Sequence, residues 1–276
     1  MSASSPTGAD LHLHSCYSDG TFTPREVAAE AARRHVSPIA LTDHDTVAGI
    51  PEALHAGAEM QVEVIPGVEL SVHDVNGDIH MLGYFIRWED AALQRTLDRL
   101  EERRRDRLHK ILRRLHELGV PLSADEVLRI AGQGTVGRLH VARALLARGA
   151  VGTVQEAFNR FLAAGRPAYV ERTGLTAPQA IAAIRQAGGI AVLAHPGKGN
   201  LADLPRLIDA GLQGIEVFHP SHTTEEVFTL TRAATEHDLL ITGGSDCHGL
   251  AKGEARLGEI QLPRAHVERL RQAIPR

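Results

Sequence analysis

The feature that most constrains this chain is an alternation of strand-like and helix-like stretches that stops near residue 91 and resumes after 164. Residues 9–15 alternate, with Leu11 and Leu13 on one face of a strand and His12 and His14 on the other. A helix is expected from Pro24, opened by the box Thr23-x-x-Glu26. The pattern then predicts a strand over 37–42, a helix over 46–60 and a strand over 62–72. Asn76-Gly77 signals a hairpin that returns through 79–86. From 89 to 118 the chain reads as one long charged helix. Shorter helices follow, opened by Ser123-x-x-Glu126 and Thr153-x-x-Glu156. Alternation resumes with helices over 177–187, 201–210 and 224–237, between strands over 189–195, 214–219 and 239–245. A closing strand over 259–262 and a helix over 264–274 are expected last.

Strands alternating with helices imply a parallel sheet covered by helices, an α/β fold. The 276 residues suit one large domain or two ordinary ones. The expected division is a catalytic α/β unit of residues 9–90 and 165–276, with an all-helical insertion over 91–164. A barrel is favoured over an open sheet by where polar residues fall. His12, His14, Asp43, His44, Glu69, His195, His219, Asp246 and His248 lie at or just past the C-terminal ends of expected strands. In a barrel those ends surround one axis.

Composition narrows the function classes. A net charge of −4 excludes a strongly basic protein held to nucleic acid by bulk charge. No apolar stretch reaches the ~18 residues of a membrane span. The first ten residues have neither a basic nor an apolar secretion region, so a cytoplasmic location is expected. Cys16 and Cys247 make no disulfide framework and are read as packing residues. The 16 histidines, against 3 tyrosines and 1 tryptophan, are spread along the chain, many beside Asp, Gly or Pro, and point to metal or acid–base chemistry. No protein partner is inferred.

His12-x-His14 on a strand puts two imidazoles on one face, ~6–7 Å apart. Asp19 follows in a turn sequence, Ser18-Asp19-Gly20-Thr21. His44 stands in Asp43-His44-Asp45, whose carboxylates are expected to orient imidazoles. Glu69 lies in an otherwise apolar strand, where a buried carboxylate needs counter-charge, and is the candidate bridge between cations. His80 is on the return strand within reach of it. His195 ends the apolar run Ile190-Ala-Val-Leu-Ala194, and Asp246 and His248 follow Gly243-Gly-Ser. These nine groups, six of them histidines, are too many for one cation and suit two or three. With only N and O donors, they favour Mn²⁺, Fe²⁺ or catalytic Zn²⁺ over a structural zinc knot.

The blocks Asp10-Leu-His-Leu-His14 with Ser18-Asp-Gly20, Leu41-Thr-Asp-His44, Pro66-Gly-Val-Glu69, Ala194-His-Pro196 and Gly244-Ser-Asp-Cys-His248 resemble the PHP family, the polymerase and histidinol phosphatase superfamily. The resemblance implies a distorted seven-stranded (βα) barrel and a trinuclear metal centre, with Mn the expected metal and Zn or Fe as alternatives. It also implies a partition of ligands. One metal takes His12, His14, Glu69 and Asp246; a second takes Asp19, His44 and His248; a third takes Glu69, His80 and His195. The helical insertion, with Gly137-Arg-Leu-His-Val-Ala142 and Gly165-Arg-Pro-Ala-Tyr169, looks like the stand-alone phosphoesterase branch. Some of that branch remove the 3′-phosphate from nucleoside 3′,5′-bisphosphates, and related members digest short oligoribonucleotides from the 5′ end.

The function expected is therefore a phosphatase acting on a nucleoside 3′,5′-bisphosphate by metal-activated hydroxide. The alternatives are a 5′–3′ exoribonuclease on short RNA and a histidinol-phosphate-type phosphatase. A structural PHP module is disfavoured because all nine ligand positions are filled. Asp19, His195 and a metal-bound water are the candidates to protonate the leaving oxygen. A second phosphate needs cationic or polar donors, for which the candidates are Arg138, His140, Arg166, Lys198, His219 and His222. The basic run 103–107 is read as a solvated helix face, with a path for an oligonucleotide backbone as the alternative.

Overall fold

In β1 (Gly8–Leu13) every residue is buried, as expected of a strand covered on both faces. The computed structural model describes residues 8–74, 77–251 and 254–275, with 198–200 described by backbone only. After β1 come α1 (Pro24–Arg33), β2 (Val36–Leu41), α2 (Ile50–Met60), β3 (Val64–Asp74) and β4 (Gly77–Tyr84). The long α3 (Ala91–Glu117) leads to α4 (Ala124–Ala131), α5 (Arg138–Ala147) and α6 (Val154–Ala157). The remainder is α7 (Ala177–Gln186), β5 (Ile190–Leu193), α8 (Leu204–Asp209), β6 (Gly214–Phe218), α9 (Thr224–Glu236), β7 (Leu240–Gly243) and α10 (Arg264–Gln272).

The strands hydrogen-bond in chain order. β1, β2 and β3 are parallel. β4 runs antiparallel to both neighbours, and β5, β6 and β7 are parallel again. The sheet closes where Leu13 bridges Cys247, with His14 N–H donating to the Cys247 carbonyl at 3.0 Å. Asp10 reinforces this seam. Its carboxylate accepts from Ser245 N at 2.9 Å, Ser245 Oγ at 2.6 Å and Gly258 N at 2.8 Å. Burial pushes its pKa up to about 6. The result is a distorted seven-stranded α/β barrel.

Local chemistry explains the helix starts. Thr23 and Glu26 form a reciprocal box at α1, and Ser123 and Glu126 do the same at α4. Asp90 caps α3 through Ala92 N and Leu93 N. Each such cap contributes about 1 kcal/mol. Several boundaries differ from expectation. The helix expected from 46 begins at Ile50, because Asp45 adopts φ 54° and the chain turns before Pro51 can open a helix. The box at Thr153 opens only one short helix, which passes into a π-turn over Phe158–Leu162. The strand expected over 259–262 reduces to one antiparallel bridge between Leu262 and Ala9. Asn76 lies outside the described residues, while its hairpin ladder pairs from Gly67 with Tyr84 to Asp74 with Gly77.

Two packing groups divide α3. Leu93, Leu97 and Leu100 join the core beneath α7 with Val68, Leu70 and Ile181. Leu108, Ile111, Leu112 and Leu115 join Val127, Val141 and Leu145 of α4 and α5. One helix thus runs from the barrel into the helical stretch. Among the described residues no helix is long and apolar enough to cross a membrane.

Candidate metal and phosphate site

Glu69, fully buried in β3, stands at the centre of five imidazoles. Its Oε2 lies 3.2 Å from His12 Nε2, 3.2 Å from His14 Nε2 and 3.1 Å from His44 Nδ1. Its Oε1 lies 2.8 Å from His80 Nδ1 and 3.1 Å from His195 Nε2. Strand geometry builds this arrangement. His12 and His14 come from the end of β1, and residues 43–45 continue alongside β3, so that His44 bridges Glu69. His80 pairs with Ser71 across the hairpin. The same cluster receives Asp246, whose Oδ1 is 3.1 Å from His14 Nε2, and His248, whose Nε2 is 3.1 Å from Asp19 Oδ1. All nine candidates meet in one place.

The cluster fits divalent metal ions. His14 Nε2, His44 Nδ1 and Asp19 Oδ1 are buried and, although charged neighbours stand 3.1–3.2 Å away, make no well-aligned hydrogen bond. Ring centroids of His14 lie 4.2 Å from His248 and 4.6 Å from His44. Among the described residues, donor atoms within 4.8 Å of one another form five groups: His14, Asp19, His44 and His248; His12, His14 and Asp246; His12, Glu69 and His195; His44, Glu69 and His80; His12, Glu216 and His219. So many converging lone pairs are costly unless cations bind them.

The electrostatics express the same strain. Burial opposes charge throughout. Even so, Asp246 and Glu69 hold His14 protonated up to about 10, and His44, His80 and His12 hold Glu69 well below the usual carboxylate range. Burial takes His44 down to about 3. The backbone is strained too. His195 has φ 27° and Asp246 has φ 50°, left-handed conformations that cost a non-glycine residue roughly 1–3 kcal/mol.

Beside the cluster is a cavity of about 170 Å³ whose wall includes Asp19, His44, Arg103, Arg104, Arg107, Arg138, His140 and Arg172. Arg172 Nη1 lies 3.3 Å from His80 Nε2 and joins cavity to cluster. Burial lowers the pKa of Arg107 to about 10, and Arg138 and Arg172 add to the effect. His140 is buried, and its Nδ1 accepts from Gly137 N at 3.1 Å. The neutral ring therefore carries its proton on Nε2.

The other expected phosphate donors divide. Arg138 lines the cavity, with its guanidinium 5.5 Å from the Tyr169 ring centre. His219 lies against the metal cluster, with Nε2 at 3.7 Å from Asp246 Oδ2, and His222 sits behind it, ring centres 5.4 Å apart. Arg166 is exposed and does not line the cavity, and the Lys198 side chain lies outside the described residues.

Three expectations need correction. Asp43 accepts from Ser15 N, Ser15 Oγ and Ser18 Oγ, and so fixes the loop leading to Asp19 rather than an imidazole. Asp45 pairs with Arg104. The basic run 103–107 is only partly a solvated face. Arg103 and Arg105 are exposed, but Arg104 and Arg107 turn inward. Their positions continue the stripe Leu93, Leu97, Leu100, Leu108, Ile111 at helical spacing, a signal their charge obscured. Glu216 was also missed. It is a fully buried carboxylate in the apolar strand β6, the same pattern that marked Glu69. Its Oε1 is 3.0 Å from His12 Nδ1. Arg172 carried no periodic signal.

A barrel of this topology, with a metal-suited cluster open to an arginine-lined cavity, defines a metal-dependent hydrolase of phosphate esters. The chain belongs to the PHP family: the family model described as PHP domain matches residues 10–161. It is 35% identical over 259 residues to a 3′,5′-nucleoside bisphosphate phosphatase of Chromobacterium violaceum, covering 91% of each chain. It is 36% identical over 247 residues to a 5′–3′ exoribonuclease of Salmonella typhimurium, covering 87% of this chain and 84% of that one. A solved structure from Bifidobacterium adolescentis, provisionally described as a metal-dependent phosphoesterase, superposes with a TM-score of 0.89 at 32% identity, covering 97% and 96% of the two chains.

Proposed function

We propose that this protein removes the 3′-phosphate from nucleoside 3′,5′-bisphosphates, such as adenosine 3′,5′-bisphosphate, giving AMP and phosphate in the cytoplasm. The observation that carries the reading is the arginine cavity. Arg107, Arg138 and Arg172 share a confined space with one wall on the histidine–carboxylate cluster, Arg104 beside them being paired with Asp45, and a bound anion would offset the remaining positive charge. A reacting phosphate at the cluster and a second one among the arginines suits a bisphosphate. The Chromobacterium relative supports the same substrate class.

In this reading His12, His14, Asp19, His44, Glu69, His80, His195, Asp246 and His248 hold two or three divalent ions, with Mn²⁺ favoured by the N and O donors. Ions bound there lower the pKa of water and offset charge on the phosphoryl oxygens. Glu69 is the shared carboxylate, since both its oxygens face imidazoles. Arg138 grips the non-reacting phosphate, and His140 offers its Nε2–H to the same recess. His219 and His222 border the cluster on another side. Arg166 faces solvent and has no assigned part in holding the phosphate. Asp19 lies in the cavity wall, but, against the effect of burial, His248 and His44 hold its carboxyl well below the usual range, so of the two candidates His195, which lies against Glu69, is the better placed to supply the proton for the leaving oxygen. The helical stretch 91–164 acts as a cap over the barrel of 9–90 and 165–276, since α3 and the segment from Thr135 to His140 supply much of the cavity wall.

A second reading, exoribonuclease action on short RNA, has its own support. A cavity of about 520 Å³ lined by Tyr17, Gln133, His140 and Arg143 lies behind the Asp19 loop and has room for a leaving nucleoside. The test compares kcat/KM, with Mn²⁺, for adenosine 3′,5′-bisphosphate, a 5′-phosphorylated trinucleotide and histidinol phosphate. Preference for the bisphosphate is expected. Preference for the trinucleotide selects the second reading, and preference for histidinol phosphate sinks both.

A further inference from the structure

Glu216 touches two histidines that arrive from different strand ends. Its Oε1 lies 3.0 Å from His12 Nδ1, and its Oε2 accepts the His195 backbone N–H at 2.7 Å. The residue is fully buried between Ile215 and Val217, themselves fully buried, so no water competes for those oxygens. We propose that Glu216 is a positioning residue that sets the His12 imidazole and the His195 backbone together, and so couples two ligands of the metal cluster. The inference rests on the metal-binding reading of His12 and His195 proposed above.

The geometry gives each oxygen one task. Accepting His12 Nδ1–H turns the ring so that Nε2 points into the cluster, 3.2 Å from Glu69 Oε2 and 3.5 Å from Asp246 Oδ1. A histidine that donates through one nitrogen keeps the other free as a ligand. Accepting His195 N–H anchors a residue whose φ of 27° is otherwise costly, and its ring then stacks on His12 with centroids 5.7 Å apart. Only a carboxylate accepts both protons; an amide offers one acceptor and turns a donor toward the other N–H.

The competing role is Glu216 as a ligand itself, with His12 and His219, whose donor atoms also cluster within 4.8 Å. Hydrogen bonding argues against it. Ser221 N–H donates to His219 Nδ1 at 3.1 Å, so the neutral His219 ring carries its proton on Nε2, the atom facing the cluster. His12 Nδ1 is likewise engaged as a donor.

The test titrates Mn²⁺ into the full-length metal-stripped protein against a chromophoric chelator, for wild type, Glu216→Gln and Glu69→Gln, and measures substrate KM at saturating Mn²⁺. Glu216→Gln is expected to raise the Mn²⁺ dissociation constant about 10–100-fold and to leave KM near wild type. Wild-type Mn²⁺ affinity in Glu216→Gln, with Glu69→Gln weakened, overturns the inference, and so does a fall in metal-free thermal stability without change in affinity. Wild-type affinity in Glu69→Gln overturns the metal reading itself. If Glu216→Gln does not fold, Glu216→Asp takes its place. The shorter side chain withdraws the charge by one methylene, and unchanged affinity there also overturns the inference.

Discussion

Arg104 of α3 grips Asp45, the neighbour of His44, with Nε at 2.7 Å and Nη2 at 2.5 Å from the same carboxylate oxygen. Nη2 also donates to Ser71 Oγ at 3.0 Å and Nη1 to the Val136 carbonyl at 3.2 Å, while Ser71 N–H donates to Asp45 Oδ1 at 2.7 Å. One guanidinium thus joins the helical stretch, β3 and the loop carrying His44. Arg104→Gln leaves a buried carboxylate unpaired and is expected to destabilise the fold by about 3–5 kcal/mol in urea titration. The double variant Arg104→Gln/Asp45→Asn should lose less than the sum of the singles. A single-variant loss below about 1 kcal/mol would mean the pair behaves as a solvated surface bridge.

Asp246→Asn tests the cluster with little risk to the fold. Asparagine tolerates the left-handed backbone that Asp246 adopts, so the strand end survives. The substitution removes a charge facing His14. Turnover should fall by at least about 100-fold with an unchanged circular dichroism spectrum. Activity within a few-fold of wild type would remove Asp246 from the ligand set.

Metal removal should act on stability as well as activity. Ligands that bind only the folded state add about 2.7 kcal/mol at a hundred times their dissociation constant. Dialysis against a chelator is therefore expected to abolish hydrolysis and lower the thermal midpoint, and Mn²⁺ should restore both. Full activity in chelated protein, verified as metal-free by elemental analysis, would contradict the metal reading.

His140 supplies a pH dependence with a definite sign. Burial lowers its pKa to about 4 from the usual 6.5. Between those values the unfolded chain binds a proton that the folded one refuses, so stability is complete above pH 6.5 and is lost as pH falls toward 4. The full effect is roughly 3 kcal/mol. Glutamine can still accept from Gly137 N but does not titrate. Between pH 7 and 4.5, His140→Gln should lose less stability than wild type; parallel curves would assign the acid sensitivity elsewhere.

Much of the candidate site is legible in the sequence because most of its candidate ligands sit where strands end, and strand ends carry strong local signals. The runs before His44, His195 and Asp246 are short and apolar, and each stops at the residue that matters. The hairpin at Gly77 likewise foretells the one reversed strand, β4. Arg104 and Arg107 were misread because a charged residue on an apolar stripe is ambiguous until its partners are known, and Asp45 is a long way off in sequence. Glu216 carried the signal used for Glu69 but lacked a neighbouring motif to draw attention to it. Arg166 shows the reverse failure. A basic residue in a loop has no periodicity to say whether it faces the cavity, and this one faces solvent.

Arg138 offers the sharpest test of substrate class. Its guanidinium lies over the Tyr169 and Phe158 rings at 5.5 and 6.0 Å, and Nη1 donates to the Leu162 carbonyl at 3.3 Å. These contacts hold the fork ready before any ligand arrives, so little entropy is lost on binding. Arg138→Met keeps the apolar stem and removes only the charge. If Arg138 grips the second phosphate, kcat/KM for adenosine 3′,5′-bisphosphate should fall about 10–100-fold, the cost of a charge-assisted hydrogen bond of roughly 1.5–3 kcal/mol. p-Nitrophenyl phosphate has no second phosphate, and its hydrolysis should change little. Arg172 is the poorer probe, since its contact with His80 would disturb the metal cluster as well. Equal losses on both substrates would place Arg138 at the reacting phosphate, and no loss on either would leave the recess without a role in recognition.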